Sequence, residues 1–190
     1  MEDVISQYTT AFDELNVLTT GSFKLAGGEV NIVADDVLSF LIKAYTLGIE
    51  HAALMLAHDL SVDVDSMRAA IYKVIEGKTF EDRVADHVLN NDSTALVILV
   101  ESEFHRVYNA AIQDGGQDFV ENGDFGATKT WYTVRDDRVR ETHDYLDGQS
   151  VPIEEEFFTF DGDHAPHPGG FTKVENNVGC RCNMWVSTSE

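Results

Sequence analysis

Cysteine, proline and basic residues are all scarce in this chain of 190 residues. It contains two cysteines and three prolines, and its 13 lysines and arginines face 34 aspartates and glutamates. Two cysteines cannot form the disulfide framework of a small secreted protein. No apolar run reaches the roughly 18 residues that span a bilayer, and the start (Met1, Glu2, Asp3) lacks the basic segment of a signal peptide. We therefore expect a protein without a membrane partner, kept in the cytoplasm or carried from it inside a particle.

The formal net charge of −21 is the strongest signal in the composition. Nonspecific binding to nucleic acid depends on lysines and arginines that displace counterions from phosphates, and this chain has few of them. The charge therefore predicts no strong nonspecific nucleic-acid binding, and it favours solubility and self-repulsion before assembly. Hydrophobic residues still make up 43% of the chain, which is enough to form a core.

The first half of the chain has the apolar spacing of helices. Residues 35–59 repeat apolar positions every three or four residues, with Asp35 or Asp36 available as the N-cap. A second helix is predicted from about residue 65 to 75, with Gly77 as its C-terminal stop, and a third follows Thr79. The spacing over 95–111 favours a long buried helix, which Gly115 and Gly116 are expected to weaken or end.

The second half changes to short β elements. Residues 130–134 (TWYTV) indicate a strand, and Asp136 is placed to cap a helix that runs to residue 146 and is closed by Gly148. Residues 151–160 are expected to be extended, 161–171 to form a Gly/Pro loop, and 180–187 to form the last strand. The chain is thus predicted to be α+β: a helical N-terminal region (1–91), then a domain (92–190) whose small antiparallel sheet packs on the long helix and one short helix.

The predicted helix over 136–146 carries the most informative side chains. It places His143 on the same face as Leu146, so the imidazole is expected to point inward, and Asp147 at i+4 could orient the ring. Arg140 is one turn from both Asp136 and Asp144, which predicts ion pairs. An inward histidine with one nearby aspartate is most often a hydrogen-bonded structural residue.

Cys180 and Cys182 are separated by one residue, so their thiols would project from the same face of a strand. Together with His143 they could supply three ligands for a structural zinc ion, with a fourth from His164, His167 or an aspartate. The alternative is that both cysteines are small hydrophobic residues of the core. No other cofactor is indicated, because the GKT triplet at 77–79 lacks the upstream glycine of a phosphate-binding loop.

The order of motifs over 128–182 resembles the phage Mu F-like family of minor capsid, or head morphogenesis, proteins. Trp131 follows a short strand and precedes DDRVRETHDYLDGQSVP (136–152), and the domain closes on Cys-Arg-Cys (180–182). The upstream stretch VESEFHRVYNAA (100–111) is similar to the helix that the family places before the tryptophan. The motif positions are Trp131, Asp136, Arg140, His143, Asp147 and Gly148.

The chain also departs from that pattern. Many relatives have two cysteines where this chain has Arg140 and His143, and Gly179 replaces the asparagine that commonly precedes the first closing cysteine. A metal site with four cysteines therefore cannot be transferred intact. Glu103, in the upstream helix, is expected to pair with an arginine such as Arg138 or Arg140.

The resemblance implies a structural protein without catalytic activity. A member of this family would be a minor head protein of a tailed phage or prophage, associated with the portal and with capsid or scaffold proteins during assembly. It would be found in the virion head, and in the host cytoplasm while heads assemble. The alternative is a metal-dependent hydrolase or toxin-like effector, in which His143 would act as general base beside Asp136, Asp137 and Asp147.

Overall fold

The computed structural model describes residues 2–25, 30–123 and 126–189, and it confirms the α+β class. Helices fill the first part of the chain, and short strands with two single-turn helices fill the second. In chain order the elements are α1 (Glu2–Leu25), α2 (Val30–Leu56), α3 (Val64–Ile71), α4 (Phe80–Leu89), α5 (Ser93–Glu121), β1 (Gly126–Tyr132), α6 (Glu141–Asp144), β2 (Ser150–Pro152), β3 (Phe157–Phe158), β4 (His164–Ala165), α7 (Val174–Asn177) and β5 (Asn183–Ser189).

Several helix ends differ from those predicted from the sequence, and capping side chains mark the starts of α3 and α4. Asp35 and Asp36 lie inside α2 and do not cap it. Asp63 caps α3 by accepting a hydrogen bond from the Ser66 amide. That helix ends at Ile71, so Gly77 does not stop it. Gly77 instead has a φ of +76° in a tight turn, and Thr79 then caps α4 in a capping box.

Helix α5 is the central element of the fold, and the prediction that glycines would end it was wrong. It continues through Gly115 and Gly116 to Glu121. A Cβ atom on Gly115 would lie 2.8 Å from the Ala52 Cβ, and one on Gly48 would lie 2.6 Å from the Ala111 Cβ. These glycines are therefore needed where α2 and α5 cross closely. Helix α2 lies in the first predicted region and α5 in the second. Because these two helices pack against each other, the two regions share one core.

A three-stranded antiparallel sheet packs beside α5, with β1 between β2 and β5. Along β1 the side chains of Ala127, Lys129 and Trp131 are buried and their neighbours are more exposed. Lys129 is an unusual inward residue. Its ammonium donates to the Gln113 Oε1 atom at 2.9 Å and to the Pro166 carbonyl at 2.8 Å.

Two predicted β-region elements differ in the structure. Within 136–146 only Glu141–Asp144 is helical, because the Asp136 carboxylate accepts from the Arg138 amide and holds 136–139 in a turn. The last strand begins at Asn183, so both cysteines lie in the loop before it. Residues 151–160 contain β2, a turn and β3, and β3 pairs with β4 inside the predicted Gly/Pro loop.

Helix α2 is the membrane candidate by length and composition. The stretch Val33–Leu56 is apolar enough to cross a bilayer, but half of the residues in its most apolar window are buried inside the protein. Core helices of globular proteins satisfy the same criterion. The contacts of α2 with α1 and α5 account for its apolar character.

Candidate functional site

Three residues from two separate parts of the domain meet in one buried cluster. The Nδ1 atom of His143, on α6, lies 3.6 Å from the Cys180 sulfur and 3.5 Å from the Cys182 sulfur. The ligand-type atoms of all three residues lie within 4.8 Å of one another. Each of these residues is at most 5% exposed. The sequence therefore identified the members of this His–Cys–Cys cluster, although it placed both cysteines in the wrong element.

Aromatic rings enclose the histidine. The Phe171 ring stacks on His143 with a centroid separation of 5.2 Å, and the Trp131 ring meets it edge-on at 5.6 Å. The Nε2 atom of His143 has no hydrogen-bond partner among the described residues. An unpaired buried ring nitrogen costs free energy, so packing and the two sulfurs must keep the ring in place.

The two thiols do not titrate independently. The Cys182 thiol donates toward Cys180, and His105 and His143 lie nearby, so the pKa of Cys180 is well below its usual range. The pKa of Cys182 is raised, because its ionisation would place a second thiolate beside Cys180 and because it is buried. Cys180 therefore loses its proton before Cys182, and the thiolate is the form of cysteine that binds a metal.

Helix α5 fixes the Cys180–Cys182 loop through polar residues that the sequence analysis missed. His105 donates from Nε2 to the Cys182 carbonyl, and its Nδ1 accepts from the Tyr8 hydroxyl at 2.9 Å. Asn109, one turn later, accepts from the Met184 amide at 3.1 Å. Both residues lie on a buried face of α5. Polar residues at i, i+4 and i+8 (His105, Asn109 and Gln113) in a helix predicted to be buried are the signal that could have revealed them.

Asp163 is a third missed residue, and it organises the loop that carries Phe171. Its carboxylate accepts five hydrogen bonds at 2.5–3.2 Å. The donors are the backbone amides of His164, Thr172 and Lys173, the Thr172 hydroxyl and the Asn176 side chain. Burial by itself raises the pKa of Asp163, but the Thr172 and Asn176 hydrogen bonds lower it overall. The carboxylate is therefore a structural anion at the centre of residues 159–177.

Three predicted contacts around His143 were wrong. Asp147 does not orient the imidazole, because its carboxylate accepts from the Thr133 amide at 2.8 Å and pairs with Arg135. Arg140 donates to the Val178 carbonyl, and Asp136 pairs with Arg181 at 2.7 Å through both of its oxygens. The turn at 136–139 removes the helical spacing on which the predicted pair of Arg140 with Asp136 depended. Gly148 has a φ of +79° and closes the following turn by donating to the Trp131 carbonyl.

Glu103 also has other partners than predicted. Arg83 reaches it with two hydrogen bonds at 2.7 and 3.1 Å, and Arg106 reaches it at 2.8 and 3.2 Å. Burial raises the pKa of Glu103, but Arg106 and Arg83 more than offset this effect and lower it. This buried ionic cluster ties α4 to α5 and is separate from the His–Cys–Cys cluster.

The donor geometry of the His–Cys–Cys cluster fits a tetrahedral zinc ion. Zinc lies about 2.3 Å from sulfur and about 2.0 Å from a histidine nitrogen, so two ligands on one ion are separated by roughly 3.5–3.8 Å. The measured nitrogen–sulfur separations are 3.5 and 3.6 Å. The expected fourth ligands have other partners: His164 pairs with Glu156, and His167 hydrogen-bonds the Pro168 carbonyl.

A small cavity of about 10 Å³ adjoins the cluster, lined in part by His143 and Cys182. This volume suits about one water molecule. The three residues could thus hold a zinc ion beside this cavity. Bound zinc would join the Cys180–Cys182 loop to α6, and it would act as a cross-link in a module with no disulfide.

Comparison with known proteins agrees with the motif pattern. The model of the family described as "Phage Mu protein F like protein" matches residues 64–185. This match includes α3 to α5, the sheet up to Trp185 and the whole His–Cys–Cys cluster. No solved structure matches the chain significantly.

One curated relative is the NAD(+)--arginine ADP-ribosyltransferase EFV of Enterococcus faecalis strain V583. It is 33% identical to this chain over 84 residues, which cover 44% of this chain and 17% of the relative. The chain therefore spans about a sixth of that protein's length. A similarity of this extent carries no activity from the relative to this chain.

Proposed function

Because the chain belongs to the phage Mu protein F like family, we propose that it is a minor head protein that binds the portal and neighbouring capsid or scaffold proteins during assembly. It would act without catalysis, be incorporated into the virion head and meet its partners in the host cytoplasm. The family match over residues 64–185 is the observation that carries this proposal.

The geometry supports a binding role for the cluster and its surroundings. Two of the three carboxylates that the enzymatic alternative requires are engaged elsewhere: Asp136 by Arg181, and Asp147 by Thr133 and Arg135. Neither is in the group of metal-type ligands around His143. His105 and Asn109 join the last loop and strand of the domain to α5, which gives the C-terminal half the fixed shape of a docking module.

Co-purification with the portal protein of the same phage tests this proposal. We expect the untagged chain to elute with an affinity-tagged portal, and to be detected by mass spectrometry in purified heads. A chain that elutes alone and is absent from heads of an otherwise intact phage would contradict the proposal. An unrelated portal protein, from a phage without a chain of this family, serves as the negative control.

We further propose that His143, Cys180 and Cys182 bind one structural zinc ion. The match between their separations and the edges of a zinc tetrahedron supports this proposal. Native mass spectrometry of protein purified without chelator should show one zinc per chain. Cys180→Ser and Cys182→Ser should each lose the ion, and chelation should lower the thermal midpoint of the wild type but not of the variants.

A metal-free mass at saturating zinc would contradict zinc binding and leave the three residues as core packing. His58→Ala is a suitable control, because this histidine is exposed on the N-terminal side and contacts Phe119 rather than the cluster. It should keep the zinc content of the wild type. The portal proposal does not depend on the outcome, since zinc acts only on the stability of the module.

A further inference from the structure

An arginine-rich groove lies beside the His–Cys–Cys cluster, between α1, α5 and the loops that precede α6 and β5. Its volume is about 690 Å³. We call it the arginine groove. Its lining includes three guanidinium groups, those of Arg138, Arg140 and Arg181. In a chain with 13 basic residues and a net charge of −21, three arginines in one groove are a marked local concentration of positive charge.

The acidic groups around these arginines balance them only in part. Asp136 pairs with Arg181 at 2.7 Å but lies 3.8 Å from Arg138. Arg140 donates to the Val178 carbonyl, which carries no net charge. Glu101 is the acidic residue of the lining. Asp136 thus engages Arg181 closely, whereas the Arg138 side chain is 74% exposed and has donors available to a ligand.

Part of the groove lining is apolar. Tyr8 and Phe12 on α1 stack with their ring centroids 6.1 Å apart, and both are only partly buried. Ile98 on α5 and Val134 after β1 extend this wall and are 41% and 45% exposed. An apolar wall beside guanidinium groups offers a place for an aliphatic or aromatic side chain next to a place for carboxylates.

We propose that the arginine groove binds an acidic polypeptide segment of a partner protein, one that carries a large apolar side chain among its carboxylates. Guanidinium groups recognise carboxylates with paired, charge-assisted hydrogen bonds, which fits the exposed donors of Arg138. The apolar wall would take the flanking side chain. Single-stranded nucleic acid is the competing occupant that the binding assay must distinguish from an acidic polypeptide.

Fluorescence anisotropy with the full-length chain tests this assignment. The probe is a fluorescein-labelled peptide of glutamates with a central phenylalanine and leucine. A peptide in which glutamine replaces every glutamate, and a single-stranded oligonucleotide of similar length, are the comparisons. We expect the glutamate peptide to bind, and Arg138→Glu to weaken its binding about tenfold, because a like charge would then face the carboxylates.

Arg68→Glu is the matched control, since it makes the same charge change at an exposed position of α3 outside the groove. It should leave the affinity within about twofold of the wild type. Ile98→Ser should weaken binding without any change in charge. Ile42→Ser, at a position of α2 with 42% exposure, should not.

Several results would overturn the proposal. These are the absence of peptide binding, equal binding of the glutamine peptide, an affinity unchanged by Arg138→Glu, or tighter binding of the oligonucleotide. Circular dichroism of each variant separates a local loss of contacts from unfolding, and Ile98→Ser gives an independent test if Arg138→Glu unfolds. The result stands apart from portal association, since the peptide assay contains no phage protein other than this chain.

Discussion

Replacement of Glu103 by glutamine is the most informative perturbation of the fold. Glu103 is 4% exposed and Arg106 is 2% exposed. Their closest approach is 2.8 Å, and Arg83 adds a bidentate contact at 2.7 and 3.1 Å. Glutamine has nearly the same shape but no charge. Two guanidinium groups would then face each other without a counter-ion, one of them almost fully buried.

The expected loss is about 3–5 kcal/mol of unfolding free energy, the range observed when one partner of a buried ion pair is removed. Equilibrium urea unfolding followed by circular dichroism measures it as a lower midpoint with an unchanged slope. Glu101→Gln is the matched control, because it lies two residues away on the same helix and is less buried. It should change the unfolding free energy by less than about 1 kcal/mol.

The pH dependence provides a second check. The pKa of Glu103 in the folded protein lies below its ordinary value of 4.5. The unfolded chain therefore takes up the proton first as the pH falls. The contribution of the ionised carboxylate is complete above pH 4.5 and decreases as the pH falls through the folded pKa. The difference between wild type and Glu103→Gln should shrink over the same range.

A loss below about 1 kcal/mol at neutral pH would refute this reasoning, because it would mean that solvent screens the cluster. The double variant Glu103→Leu with Arg106→Leu provides a further test. It removes both buried charges and leaves Arg83, whose side chain is 13% exposed, to reach solvent. This variant should recover much of the stability lost in Glu103→Gln, since apolar residues of similar volume can replace a buried ion pair.

Three further predictions concern packing, loop order and pH. Gly48→Ala should lower the unfolding free energy by about 1–3 kcal/mol, because the new Cβ would lie 2.5 Å from the Tyr108 carbonyl oxygen; an unchanged thermal midpoint would contradict this. Asp163→Asn should speed amide hydrogen exchange over residues 159–177, because an NH2 group replaces an oxygen that accepts from Thr172 or Asn176; protection equal to the wild type would refute it. Burial lowers the pKa of Lys129 from 10.5 to about 8. Since the unfolded chain holds that proton to higher pH, stability should rise between about pH 8 and 10.5 in the wild type and not in Lys129→Met; parallel pH profiles would count against this pKa.

Much of the secondary structure was available from the sequence because it depends on neighbours along the chain. Apolar spacing predicted α2, α4 and α5, and Thr79 marked the start of α4. The order of Trp131, the 136–152 motif and Cys-Arg-Cys predicted the family, which the match over 64–185 confirms. Zinc at His143, Cys180 and Cys182 stays a prediction, as do portal binding and the division at residue 91.

The tertiary structure alone decided the partners of the charged residues and the role of the glycines. Gly115 resembles a helix stop until α2 is seen to cross it at Ala52. Glu103 pairs with Arg83, twenty positions earlier, because α4 folds back against α5. Asp136 pairs with Arg181 rather than Arg140 for the same kind of reason. Local propensity and motif order are properties of consecutive residues. Ion pairs and helix crossings depend instead on which distant segments meet, and the packing of the whole chain determines which segments do.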